Sequence, residues 1–186
     1  MNIDDLKSVI SNRKGLAPAN RFEIHVTPPA GLGIDTRDFS VLCESCSLPG
    51  RQITTIDYQI LQQSYKIPSG FVNEDVTFTF LLTNDFYVKK VFETWASAVV
   101  DFENYKVKYS NNYYGEISIK QLHRADRYQV SDDNVNSLKE AVSYETVLHN
   151  AFPYSLGAIS LDNNSENTIQ KLTVTVAYEN FENITK

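Results

Sequence analysis

The chain has 186 residues, a formal net charge of −6, 42% apolar residues and 22% charged residues. This length suits a single domain with its own core, and the ordinary apolar content argues against a disordered chain. The negative charge disfavours binding to nucleic acid, and no apolar run approaches the roughly 20 residues of a membrane helix. The acidic N-terminus lacks the apolar segment of a secretory signal, so none is predicted.

The beginning of the chain predicts an arm followed by a strand. Residues 1–19 contain a short helical pattern and then Gly and Pro residues, so we expect them to form an N-terminal arm. Residues 20–27 alternate apolar and polar side chains, which is typical of a strand with one buried face. The apolar members of this alternation are Phe22, Ile24 and Val26.

Residues 37–46 are predicted to form a second strand with Phe39, Val41 and Cys43 on its core face. Cys46 follows Cys43 at a spacing that points the two side chains to opposite faces of a strand. Because no second cysteine pair or histidine cluster accompanies them, we interpret both as strand residues. Neither a metal site nor a redox pair is predicted, and a reducing compartment is expected.

Residues 51–73 are predicted to leave the body as an extended, hairpin-like arm. Their first part alternates in the manner of a strand, and a Pro-Ser-Gly break comes near their end. The segment combines polar and aromatic residues without a clear core face. Such a protrusion is a natural contact surface for a partner.

The rest of the chain predicts more strands and one strong helix. The strands are expected over residues 75–82, 115–123, 142–149 and 168–181, with breaks at Pro153 and Gly157. The helix is expected over residues 84–102, and its apolar stripe would cover a sheet. The predicted fold is therefore mainly β: one domain over residues 1–186, with a β-sandwich or barrel of about seven strands flanked by one α-helix.

No catalytic, cofactor or metal site is predicted. The three histidines, His25, His123 and His149, lack ligand spacing, and no nucleophile elbow or phosphate-binding loop is present. Triads assemble across the sequence, so an enzyme stays as the last-ranked alternative. A monomeric β-barrel that holds a small ligand is a further alternative.

Three segments resemble the tail tube proteins of contractile-tailed bacteriophages. Pro18–Ile24 resembles the start of the first strand in that family, and Cys43–Gly50 resembles the end of its second strand. Phe152–Leu161, followed by a polar turn and a strand, resembles its C-terminal part. Strand order and the single mid-chain helix also agree, so the resemblance covers nearly the whole chain. It departs at residues 124–140 and after the last strand.

The resemblance implies a structural virion protein and no enzyme or cofactor. Such proteins form hexameric rings that stack into the inner tail tube, which conducts DNA during contractile injection. The implied partners are further copies of the chain, the tail sheath protein, the tape measure protein and the baseplate tube proteins. DNA would pass without specific binding, and no membrane is involved. The protein would lie in the virion tail after assembly in the host cytoplasm.

The resemblance also assigns expected roles to two sets of residues. The arm at 51–73 would reach a neighbouring ring, with contact candidates Ile56, Tyr58, Ile60 and Tyr65. Because six copies multiply the negative charge, acidic side chains that face the bore would repel DNA phosphates. The candidates for this lining are Glu44, Asp57, Glu145 and Glu179.

Two alternatives share the fold. A baseplate tube-initiator or tail-completion protein would start or end the tube, and it should form single rings instead of long tubes. The tube protein of type VI secretion systems has the same architecture, but the long arm and the match at Phe152–Leu161 favour the phage protein.

Overall fold

The computed structural model describes residues 2–13, 15–60, 63–127, 140–164 and 168–184. Its helices are α1 (Ile3–Asn12), α2 (Phe39–Leu42) and α3 (Tyr87–Val99). Its strands are β1 (Phe22–Thr27), β2 (Cys43–Cys46), β3 (Arg51–Ile60), β4 (Gln63–Asn73), β5 (Val76–Leu81), β6 (Val100–Asp101), β7 (Lys106–Val107), β8 (Gly115–Arg127), β9 (Glu140–Leu156), β10 (Lys171–Ala177) and β11 (Asn180–Ile184). The mainly β fold, its flanking helix and its hairpin arm agree with the prediction.

The body is an antiparallel sheet of seven strands in the order β1-β8-β9-β10-β5-β2, with β11 as a further neighbour of β9. Strand β9 belongs to two layers, because its first part pairs with β8 and β11 and its last part pairs with β10. Asn150, between these parts, has a positive φ of 54°, a conformation that Asn tolerates better than most residues. We call β1-β8-β9-β11 the first layer and β9-β10-β5-β2 the second layer.

Both layers and α3 share one hydrophobic core. Alternation along β5 and β10 buries three residues on each strand, and α3 contributes its apolar stripe from the other side. These residues are Val76, Phe78, Phe80, Leu172, Val174, Val176, Val88, Val91, Phe92 and Trp95. The indole Nε1–H of Trp95 donates to the carbonyl oxygen of Tyr113 at 2.7 Å, which satisfies the only polar atom of that side chain. The predicted helix over 84–102 is shorter than expected and runs from Tyr87 to Val99.

The predicted strand over 37–46 is wrong in its first half. Residues Phe39–Leu42 form a short helix, in which the N–H of Leu42 donates to the carbonyl oxygen of Asp38 at 3.1 Å. Strand alternation would place Phe39 and Val41 on the same face, but helical spacing separates them. Phe39 is fully buried at 0% exposure, and Val41 is 84% exposed.

The C-terminal strands also differ from the prediction. The single strand expected over 168–181 is interrupted once, at residues 178–179, and its two parts, β10 and β11, both run antiparallel to β9, along its last and first parts respectively. The break expected at Pro153 is absent, because β9 continues through it. Pro153 lies opposite Val176 at a register shift, where a strand tolerates proline. Most of the divergent segment 124–140 lies outside the described residues.

Candidate assembly surfaces

The arm is a two-stranded sheet made of β3 and β4, and its register decides which side chains share a face. Ile56 lies opposite Ile67, Tyr58 opposite Tyr65, and Ile60 opposite Gln63. Directly opposed residues point to the same side of a sheet, so three of the four predicted contact residues, Ile56, Tyr58 and Tyr65, fall on one face. Sequence reasoning missed Ile67, although its alternation with Tyr65 could have found it.

We call Ile56, Tyr58, Tyr65 and Ile67 the apolar arm face. Its four side chains are about half exposed or more: Ile56 at 62%, Tyr58 at 55%, Tyr65 at 50% and Ile67 at 48%. The side chain of Ile60 lies outside the described part of the chain. Contiguous apolar surface of this kind is unusual on a protein that stays monomeric and marks an interaction site.

The opposite face of the arm is polar near its tip. Asp57 lies opposite Lys66, and Gln59 lies opposite Ser64. The arm is therefore amphipathic, with one face suited to burial and the other to solvent. Asp57, one of the predicted bore residues, belongs to this polar arm face.

A second surface lies on the outward side of the first layer. Ile24, Ile117 and Leu148 point into the core, so their neighbours along β1, β8 and β9 point away from it. We call this surface the polar sheet face. Its polar and charged members include Glu23, His25, Glu116, Ser118, Lys120, Glu145, His149 and Glu182, and Val147 lies among them.

Negative charge dominates the polar sheet face, where four carboxylates accompany the single ammonium of Lys120. Lys120 Nζ lies 3.6 Å from Glu145 Oε1, and the hydroxyl of Ser118 donates to the same oxygen at 2.9 Å. This arrangement largely neutralises Glu145. The remaining three carboxylates have no such cation within the described part of the face.

Two histidines lie among these remaining carboxylates. Nδ1 of His149 lies 3.5 Å from Glu116 Oε2, and its Nε2 lies 3.8 Å from Glu182 Oε2. Nε2 of His25 lies 3.7 Å from Glu23 Oε2. The four carboxylates of the face outnumber its one lysine, so acidic side chains dominate it.

The four predicted bore residues occupy different parts of the molecule. Glu145 lies on the polar sheet face, and Glu179 lies at the turn before β11, where it accepts from Asn150 Nδ2 at 2.5 Å. Glu44 lies on β2 in the second layer and pairs with Lys171 Nζ at 2.5 Å. Three acidic residues that accompany Glu145 were missed, although alternation with buried isoleucines could have found two of them. They are Glu23, Glu116 and Glu182.

Cys43 and Cys46 line a cleft of about 680 Å³ between β2 and the strands β1 and β8. Burial raises the pKa of Cys43 to about 12 and the pKa of Cys46 to about 11, so both thiols stay protonated at neutral pH. A protonated thiol is a poor nucleophile and a poor metal ligand. Among the described residues, no group of three or more His, Cys, Asp or Glu side chains is arranged to hold a metal ion. The helices described here include none that is long and apolar enough to span a membrane.

Comparison with known proteins gives one family and several structural relatives. Chains of similar fold occur in the PVC extracellular contractile injection system. One, from its sheath–tube complex in the extended state, has a TM-score of 0.62 at 16% identity and covers 100% of this chain and 99% of that chain. Another, from the sheath/tube terminator, has a TM-score of 0.62 at 18% identity and covers 91% of this chain and 97% of that chain.

A chain from the tube terminating cap of the anti-feeding prophage has a TM-score of 0.60 at 20% identity, and it covers 92% of each chain. No curated protein sequence matches. A family model described as phage tail tube protein matches residues 17–183. Since this match spans most of the sequence, the chain belongs to the phage tail tube protein family.

Proposed function

We propose that copies of this chain form hexameric rings and that the rings stack into the inner tube of a contractile tail, through which DNA passes. The observation that carries the proposal is the apolar arm face, which is exposed along a projecting hairpin. Family membership supports a structural role in a tail tube, and no catalytic role is proposed.

Rings would close through the edges of the first layer. Strands β1 and β11 are its opposite edges, and each has one strand neighbour among the described residues. Pairing of opposite edges from copy to copy is head-to-tail, and such contacts generate closed rings. In the isolated chain Ser40 Oγ accepts from the N–H of Ile24, and Thr36 Oγ1 donates to the carbonyl oxygen of Val26. For ring closure at this edge, the hydrogen bonds of Ser40 and Thr36 to β1 must be replaced by backbone hydrogen bonds from the neighbouring copy.

Stacking would bury the apolar arm face on the next ring. Complete burial of one large apolar side chain contributes roughly 1.5–3 kcal/mol. The four described side chains of this face are already about half covered, so each arm would gain several kcal/mol in total. Because every ring carries one arm per copy, the joint between two rings adds these contributions around its circumference.

We assign the bore to the polar sheet face. Its net negative charge would repel DNA phosphates and keep passing DNA from adhering to the wall. Glu145 would then lie in the bore together with Glu23, Glu116 and Glu182. Glu179 lies near the edge of this face, whereas Glu44 and Asp57 lie on the second layer and on the arm.

The other partners follow from this orientation. Helix α3 lies across the core from the polar sheet face, so it would face outward, toward the tail sheath protein. A likeness to a chain of a sheath–tube complex supports this arrangement. The tape measure protein would occupy the bore during assembly in the host cytoplasm, and baseplate tube proteins would adjoin the first ring. The protein would reside in the virion tail.

A second candidate function is a protein that ends or starts the tube. It is favoured by the likeness to chains from a sheath/tube terminator and from a terminating cap. Negative-stain electron microscopy of the purified protein separates the two. Long tubes support the tube subunit, single rings that never stack support the end protein, and a protein that stays monomeric under all conditions contradicts both.

A further inference from the structure

The base of the arm is fastened to β11 through one arginine. Arg51 is the first residue of β3 and lies opposite Asn73, the last residue of β4. Its Nε donates to Asn73 Oδ1 at 3.1 Å, and its Nη2 donates to Asn180 Oδ1 at 3.2 Å. One guanidinium thus bonds to the arm and to the first residue of β11.

Aromatic rings complete the contact. The guanidinium carbon of Arg51 lies 4.9 Å from the ring centre of Phe71 on the arm and 4.5 Å from that of Phe181 on β11. A second bond crosses the same joint, since Asn73 Nδ2 donates to the carbonyl oxygen of Glu179 at 3.4 Å. Arginine suits this place because its planar fork can stack on rings and donate in two directions at once.

We propose that Arg51 is a positioning residue that fixes the direction of the arm relative to β11 and so couples ring closure to ring stacking. This rests on the proposed function, in which β11 is a lateral edge and the arm is the axial contact. Among the described strands, β3 and β4 pair only with each other, and a lone two-stranded hairpin is marginal in water. Without the Arg51 contacts, the arm would be held by its two backbone connections and the single Asn73–Glu179 hydrogen bond, so it would sample more directions and stacking would have to order it.

The coupling works through β11. When β11 pairs with a neighbouring copy, the position of β11 is fixed. Because Arg51 contacts both β11 and the arm, the direction of the arm is then restricted as well. A closed ring therefore presents arms that are already aligned for the next ring. Because coupling between two contacts is reciprocal, a stacked arm also stabilises the lateral pairing of its own β11.

The first test measures arm direction in the isolated chain. Spin labels at Gln59→Cys on the arm and Ser97→Cys on α3, in a Cys43→Ala, Cys46→Ala background, report the distance between arm and body by electron resonance. The chain with Arg51 should give one narrow distance distribution. Arg51→Gln should broaden it, and so should Arg51→Lys, which keeps the charge but loses the planar fork. Unchanged narrow distributions in both variants would overturn the proposal, whether or not the protein forms tubes.

A second pair of variants acts on the β11 side and leaves Arg51 in place. Asn180→Ala removes the acceptor of the guanidinium and should broaden the distribution. Asn180→Asp keeps an acceptor oxygen and should restore the narrow distribution. Equal broadening by both variants would contradict a role for this hydrogen bond, and a melting temperature that matches the parent shows that the body remains folded.

The second test separates rings from tubes. Arg51→Gln should still form rings, but the protein concentration needed for tube growth should rise roughly tenfold, the effect of losing one charge-assisted contact. Arg37→Gln removes an exposed arginine away from the arm and should leave that concentration unchanged. Tube growth of Arg51→Gln at the parent concentration would refute the coupling. If Ile56→Asp also leaves tube growth unchanged, the stacking role of the arm itself is refuted.

Discussion

In the body, β5 and β10 point alternate side chains into a core that α3 closes from the other side. In the arm, β3 and β4 alternate just as strictly at their outer end, but the apolar face that results is exposed. Both regions alternate apolar and polar side chains. They differ because the apolar face of the body is covered by other elements of the same chain, whereas the apolar face of the arm is not. We propose that this uncovered face is a contact between copies, in which another copy of the chain covers it.

The largest effect on stability is expected from a substitution in the hydrophobic core of the body. Phe80 is fully buried, with its ring centre 5.5 Å from that of Phe39 and 5.4 Å from that of Phe92. Phe80→Ala should lower the free energy of unfolding by about 3–5 kcal/mol, because it removes buried apolar surface and leaves a cavity. Urea denaturation measures this. Tyr58→Ala on the arm is the matched control and should change the same free energy by at most about 0.5 kcal/mol.

The next largest effect is expected on tube formation, from substitutions on the apolar arm face that leave the fold intact. Ile56→Asp and Tyr58→Asp each place a charge on the apolar arm face. Stacking on another ring would bury this charge without an ion-pair partner, which is unfavourable. Tubes should be lost while the melting temperature stays at the parent value. Gln59→Asp adds the same charge to the polar arm face and should leave tube length unchanged. Shortened tubes in all three variants would mean that charge on the arm matters, whichever face carries it.

The sequence predicted the buried strand faces of the body and part of the apolar arm face. Alternation located the buried residues of β1, β5 and β10, because each of those strands has a covered face and a two-residue period. It also predicted the alternation of Ile56, Tyr58 and Ile60 along the first part of the arm, whereas Tyr65 is a proposed contact residue only through the resemblance. Ile67 belongs to the same face because it alternates with Tyr65 and lies opposite Ile56, whereas the bulge at Ser69, which sequence alone did not reveal, shifts the register only toward the base of the arm.

Other features depended on tertiary structure. The sequence around Phe39 alternates like a strand. In the structure, however, Phe39 lies in the short helix α2 and packs its ring against Phe80 and Phe92. The interruption between β10 and β11 carries no glycine or proline, so the sequence predicted one continuous strand. The grouping of Glu23, Glu116 and Glu182 on one face required the pairing of four strands from distant parts of the chain.

A smaller effect concerns the polar sheet face. Glu116→Lys should leave tubes intact and slow the release of DNA from virions that carry the variant, because a bore with added cations attracts phosphates. Release should slow less as salt rises, since salt screens this attraction. Glu103→Lys, in the exposed turn between β6 and β7, makes the same charge change across the core and serves as the control. Equal release rates for both variants would argue against the assignment of this face to the bore.

The smallest effect compares a thiol of the body with a thiol of the arm. Burial raises the pKa of Cys43 to about 12 and that of Cys46 to about 11, so at pH 8 both hold far less thiolate than an exposed cysteine. Reaction with iodoacetamide should be roughly a hundredfold or more slower at these positions than at Gln59→Cys on the arm. As pH rises, the rate at Gln59→Cys should level off above about pH 9 while the rate at the native thiols keeps rising. Mass spectrometry of labelled peptides measures each rate, and native thiols that react as fast as the arm thiol would show that the cleft between β1 and β2 opens in solution.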